Sequence, residues 1–217
     1  MNILDVSQYQ TLVFDCDGVI LNSNSVKTKA FYKAALPYGE SAAQALVAYH
    51  VSNGGVSRYK KFEFFLRDII GLSSVDNAVL AGLLECYAES VWQGLLSCEV
   101  AEGLHQLREQ SINSRWLVVS GGDQEELRKI FSERNLEHLF DGGVFGSPDS
   151  KDVILARELE RNNLVRPGIF FGDSQYDFES AKRSRLDFVF ISGWSESVFD
   201  FSEANYKFES LGACAKC

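Results

Sequence analysis

Five short apolar runs punctuate the chain: TLVFDC (residues 11–16), RWLVVS (115–120), GVFGS (143–147), GIFFGD (168–173) and DFVFIS (187–192). None alternates cleanly between apolar and polar residues, which is the pattern of strands buried on both faces of a parallel sheet. Helical periodicity lies between them, over about 103–111, 123–135, 150–162 and 176–185. Strands alternating with helices predict a doubly wound, Rossmann-like α/β domain. One segment breaks the alternation. From about residue 25 to residue 97 only helical stretches occur, divided by Pro37-Tyr38-Gly39, Asn53-Gly54-Gly55 and Gly71-Leu72-Ser73. Tyr59, Phe62, Phe65 and Leu66 recur there at helical spacing and read as the core of a small bundle. The predicted organisation is an α/β core made of residues 1–22 and 98–217, interrupted by a helical domain over 23–97.

Ligands of open α/β sheets bind outside the carboxyl ends of the strands, and carboxylates accumulate at those ends here. The first run closes on Asp15 and Asp17, the second on Ser120 before Gly121 and Gly122, and the fourth on Asp173, with Asp177 four residues on. Any one of these could be a helix cap. Asp15 and Asp17, two apart, can face the same reacting centre. If Asp173 and Asp177 converge on it, two such charges ~4 Å apart repel by about 4 kcal/mol at an effective dielectric of 20. A divalent cation, a proton or a neighbouring Lys or Arg must offset that. Oxygen-only ligands favour Mg²⁺ over zinc. The histidines (His50, His105, His138) fall at none of the strand ends.

Charge and cysteine usage narrow the partners. A formal net charge of −9 repels phosphate backbones and anionic lipid, so nucleic-acid and membrane binding are not expected. An anionic substrate then needs local cations. No run reaches the ~18 apolar residues of a membrane span. The five cysteines, Cys16, Cys86, Cys98, Cys214 and Cys217, are scattered and odd in number, as reduced thiols of a cytoplasmic protein would be. The closing CAKC has metal-ligand spacing without a second pair and reads as a tail without function. Nothing in the pattern specifies an oligomeric state.

Taken in order, DCDGV, VVSGG, Lys151 and GDSQYD resemble the four signature motifs of the haloacid dehalogenase-like hydrolase superfamily, in its phosphoglycolate phosphatase and β-phosphoglucomutase-like branch. The resemblance spans the whole chain, and the helical insert corresponds to a cap domain. It implies a Mg²⁺-dependent phosphatase acting on a small phosphorylated metabolite, a sugar phosphate or a phosphoglycolate-like acid. Asp15 would be the nucleophile that forms an aspartyl-phosphate. Asp17 would be the general acid and base and would offer its backbone carbonyl to the metal. Ser120, Gly121 and Lys151 would hold the transferring phosphate, and Asp173 and Asp177 would complete the metal site. The family's third motif commonly reads Lys-Pro-x-Pro, whereas this chain has SPDSKDVIL; Lys151 is preferred over Lys129 because it opens a helix. An aspartate at position 17 favours phosphate chemistry over dehalogenation. Asn22 stands where relatives carry an aspartate, near the expected cap hinge.

The insert adds one clue. In NGGVSRYKKF, Ser57 is placed to cap a helix and Arg58 falls in its first turn, where the helix dipole disfavours a cation. GVSR resembles the cap loop of β-phosphoglucomutases, whose arginine holds the substrate's non-reacting phosphate; the alternative is a solvated arginine beside Lys60 and Lys61. Phosphomutase is thus the second functional reading. Against it, Lys27 replaces the histidine of the mutase linker. Lys27 and Lys29 either bring positive charge to the mouth of the site or face solvent.

Overall fold

All five apolar runs are strands of one parallel sheet in the computed structural model, which describes residues 4–215. They are β1 (Thr11–Phe14), β2 (Arg115–Asp123), β3 (Gly143–Ser147), β4 (Gly168–Gly172) and β5 (Asp187–Ile191). A sixth, β6 (Tyr206–Phe208), was not foreseen; it is three residues long, with Lys207 exposed between half-buried Tyr206 and Phe208, too short a stretch to read as a strand. The order is β3-β2-β1-β4-β5-β6. The order reverses between β1 and β4, and that switch point is where a doubly wound sheet opens a crevice.

The missing alternation has a direct cause. Leu12, Phe14, Trp116, Val118, Ile169 and Phe171 enter one apolar cluster, while Val13, Leu117, Val119 and Phe170 enter another on the opposite face. Both sides of every central strand are therefore core. Phe14 stacks on Phe171 with ring centroids 4.8 Å apart, which fixes the β1–β4 pair directly beneath the crevice.

Between β1 and β2 the chain is helical, with α1 (Asn24–Ala35), α2 (Glu40–Ser52), α3 (Arg58–Phe64) and α4 (Asn77–Ser97). Phe62, Phe65 and Leu66 are fully buried as the spacing suggests; Tyr59 instead reaches out to donate to Asp123 at 2.7 Å. α3 continues into a π-helical turn over Phe65–Ile69. The two crossings into this segment lie side by side, with the Asn22 N–H donating to the Glu99 carbonyl at 2.9 Å. After β2 come α6 (Gln124–Glu133), α7 (Lys151–Glu160) and α8 (Gln175–Arg183), with α5 (Leu104–Gln110) before β2 and the short α9 (Leu211–Cys214) near the end. No helix among the described residues is long and apolar enough to cross a membrane. Cys16, Cys86 and Cys98 are free thiols, and Cys214 is buried with its Sγ against the Ser210 carbonyl at 3.4 Å. Cys217, the other half of the CAKC spacing, lies outside the described residues.

Candidate active site

The crevice is a cavity of about 430 Å³ between the strand ends and the helical segment. Asp15, Asp17, Gly121, Arg58 and Asp173 line it; Ser120, Lys151 and Asp177 are buried behind that wall. Asp15 is pinned where β1 ends, its N–H donating to the Phe171 carbonyl at 2.9 Å. The turn that follows needs Gly18. Its φ is +75°, and a Cβ there would lie 2.1 Å from Asp173 Oδ2, so only glycine lets the two acidic loops approach this closely.

One oxygen each from Asp15, Asp173 and Asp177 lies within 4.8 Å of the others, all three residues being buried. Lys151 enters from below at the first position of α7, capped by Ser150. Its Nζ is 2.8 Å from Asp15 Oδ1 and also pairs with Asp177. Asp177 belongs to a capping box with Ser174 at the start of α8, so its carboxylate is fixed from two sides. One ammonium cannot neutralise three carboxylates. Burial pushes Asp15 up to about 7; Lys151 opposes this, and Asp177 and Asp17 add to it. Asp173 is raised well above the usual carboxylate range by burial and by Asp15 and Asp177.

These residues fit a hard divalent cation. The donors are all oxygen, the charge is in excess, and Asp15 Oδ1 is buried with no hydrogen bond, since Lys151 approaches it off the line a hydrogen bond requires. Asp15, Asp173 and Asp177 would hold the ion. Asp17 contributes no carboxylate oxygen to this cluster.

The cluster predicts how the metal-free protein responds to pH. A carboxyl whose pKa rises on folding binds its proton more tightly in the folded state. Its stabilising contribution is therefore complete below the unfolded value of about 4 and is lost as pH rises through about 7. Chemical denaturation between about pH 5 and about pH 8 should show stability falling, and saturating Mg²⁺ should flatten the trend. A metal-free protein that gains stability across that window would contradict this account of the cluster.

Asp17 is held differently. Lys27 on α1 pairs with its Oδ2, and Ser23 Oγ donates to Oδ1 at 2.5 Å. Burial alone would raise this carboxyl, but Lys27 and Ser23 outweigh it and hold it below the usual range. Sequence reasoning left Lys27 at the mouth or in solvent. It is buried, whereas Lys29 is exposed. Ser23 and Lys27, one helical turn apart, face the turn that carries Asp17, and this spacing was the available signal. Asn24 was also missed; its Nδ2 donates to Asp173 Oδ2 at 2.9 Å.

At the end of β2, Ser120 Oγ accepts from the Gly122 N–H at 3.0 Å, so that donor is already engaged. The helical segment presses its NGG loop onto this strand end. A Cβ on Gly121 would meet the Gly55 carbonyl at 2.1 Å, and one on Gly54 would meet Ser174 Cβ at 3.1 Å. The glycines therefore serve close approach as well as the turn. Lys129, the weaker choice for the third motif, is exposed on α6. Ser57 caps α3 as expected. Arg58 lines the cavity, but its guanidinium pairs with Glu126 at 2.8 Å and lies 3.7 Å from Asp123, beside the Tyr87 ring.

A parallel sheet of this order, with an acidic cluster at its switch point and a helical segment folded over it, defines a Rossmann-like α/β core. The model of the haloacid dehalogenase-like hydrolases matches residues 9–185, and the chain belongs to that family. No curated protein matches it by sequence. Solved structures share its fold at low identity. A predicted phosphatase from Clostridium acetobutylicum superposes with a TM-score of 0.75 at 18% identity, covering 97% of this chain and 98% of its own. A predicted phosphoglycolate phosphatase from Haemophilus somnus gives 0.73 at 15%, covering 96% and 97%. A β-phosphoglucomutase from Clostridium difficile gives 0.72 at 16%, covering 94% and 92%.

Proposed function

We propose that the protein is a cytoplasmic, Mg²⁺-dependent phosphatase that hydrolyses a small phosphorylated metabolite through an aspartyl-phosphate on Asp15. The observation that carries this reading is the buried cluster of Asp15, Asp173 and Asp177 on Lys151, facing a cavity of about 430 Å³ that suits a small metabolite. The helices of residues 23–97 act as a cap domain over a core of 1–22 and 98–217. When bound, Mg²⁺ supplies charge neutralisation for the transferring phosphoryl group.

Asp15 attacks phosphorus, and the bond to the leaving oxygen breaks as that oxygen takes a proton from Asp17. Water then attacks the aspartyl-phosphate, Asp17 takes its proton, and inorganic phosphate leaves with Asp15 restored. Lys151 steadies Asp15, and Ser120 and Gly121 shape the phosphate cradle. Held by Lys27 and Ser23, Asp17 is an ionised carboxylate, the form that serves as base in the second step. Acting as acid requires the Lys27 contact to open. Lys27→Met should therefore raise the Asp17 pKa and move the acid limb of the pH–rate profile to higher pH. An unmoved limb would remove Lys27 from this role.

The mutase reading draws on the β-phosphoglucomutase neighbour and on Arg58. It is weakened here because Glu126 and Asp123 already neutralise that arginine. A panel of phosphorylated metabolites with Mg²⁺ tests the choice. Free phosphate is the expected product, and an isomerised sugar phosphate without free phosphate would reverse the assignment.

A further inference from the structure

Three cations line the cavity, Lys27, Arg58 and Lys61. Lys27 is neutralised by Asp17, and Arg58 by Glu126 and Asp123. Lys61 is different. It is only 2% exposed, and no carboxylate of the described residues lies within the 4.0 Å of an ion pair. Its Nζ contacts His50 Nδ1 at 2.7 Å and the His50 carbonyl at 3.4 Å, and sits 5.5 Å from the centre of the Phe31 ring. Burial holds His50 neutral, with Lys61 and Lys27 adding to that effect, and burial, with Lys27 adding to it, also pulls Lys61 down to about 7. A buried ammonium without a counter-ion is unfavourable. It is also the arrangement that a ligand carrying the missing negative charge would complete.

We propose that Lys61, seated on His50, holds a carboxylate at the end of the substrate remote from the transferring phosphate. The proposal rests on the phosphatase reading above and narrows it to small phosphomonoesters that also bear a carboxylate. When Lys61 is charged, two of its three N–H groups are taken up by His50, leaving one for a ligand whose carboxylate would hold it in that form. That suits one carboxylate oxygen better than a dianionic phosphate, which calls for several converging donors. The surroundings agree with a small planar group. Phe31 lies between His50 and Tyr87, with ring centroids 4.5 Å from each. Tyr87 is buried on the cavity wall, and its hydroxyl has no hydrogen-bond partner among the described residues. Sequence reading passed over Lys61 because a lysine beside Lys60 reads as solvated.

The test separates this subsite from the reaction. In an Asp15→Asn background with saturating Mg²⁺, calorimetry compares phosphoglycerate with glycerol phosphate, which match in length and differ at the carboxylate. Phosphoglycerate should bind about tenfold to a hundredfold more tightly, as loss of a charge-assisted contact implies. Adding Lys61→Met should bring the ratio close to one. That substitution removes a buried amine that has no carboxylate partner and keeps the chain length, so the fold should persist. Should it not fold, the ratio in Asp15→Asn alone still decides: a value near one overturns the proposal. Equal weakening of both ligands by Lys61→Met would assign Lys61 a structural role and overturn it too. Tighter binding of propanediol bisphosphate than of phosphoglycerate would overturn the carboxylate assignment. Failure of the phosphatase reading has a separate signature, the absence of phosphate release from all of these compounds by the unaltered enzyme.

Discussion

Asp15→Asn yields a folded protein whose phosphate release falls to background, the largest effect expected of any single substitution here. The change keeps the size and buried position of the side chain at the end of β1 but removes the attacking charge. Asp17→Asn should cost about 10²–10⁴-fold, the range of lost general acid–base catalysis. The drop at position 15 should exceed that, because no covalent intermediate can form without its carboxylate. Stability should move in the opposite direction. Asp15 is ionised only at the expense of its neighbours, as its rise to about 7 indicates, so the asparagine variant should unfold at a higher temperature in the absence of metal. Loss of activity with gain of stability is hard to obtain from a misfolded variant. The nucleophile can also be trapped directly: borohydride reduction of enzyme caught during turnover should convert position 15. An active Asp15→Asn enzyme, or an acid-stable phosphoserine, would place the nucleophile elsewhere.

What the sequence made legible follows the physics of each element. The strands of the sheet centre were readable because burial on both faces leaves long apolar runs, and the three strand-end motifs followed from them. Lys151 could be chosen over Lys129 because a lysine opening a helix under a strand end has a role that a mid-helix lysine lacks. Contacts across the interface between the helical segment and the core were not readable. Lys27 on Asp17, Arg58 on Glu126 and Lys61 on His50 join residues whose proximity is set by how the α1–α4 segment lies over the sheet. Charged residues on helices are solvated far more often than buried, so local pattern pointed the wrong way for Lys61 and left Lys27 open. Arg58 shows the limit best. Its placement against the helix dipole singled it out, yet the carboxylates that hold it sit more than sixty residues away in sequence.

Full removal of divalent metal should abolish turnover, and Mg²⁺ should restore it. Three buried carboxylates within 4.8 Å share one ammonium, and an incoming phosphate dianion adds charge of the same sign. Lys151 is already committed to Asp15 and Asp177, and Arg58 to Glu126 and Asp123. Lys27 is likewise committed to Asp17, which leaves Lys61 as the one cavity-lining lysine or arginine of the described residues without a carboxylate partner, too little charge to offset the cluster and the phosphate together. Ca²⁺ should bind yet restore little activity, because its larger and looser shell tolerates positions of the nucleophile that Mg²⁺ does not. Binding itself can be followed without turnover. Mg²⁺ should raise the unfolding temperature, by more near pH 8 than near pH 5, because protons compete for the same oxygens as Asp15 and Asp173 titrate. Asp173→Asn should weaken this stabilisation by Mg²⁺ and abolish activity together. Turnover that persists in excess chelator, or a thermal shift indifferent to Asp173, would mean that the cluster is neutralised by protons and that the reaction proceeds without the ion.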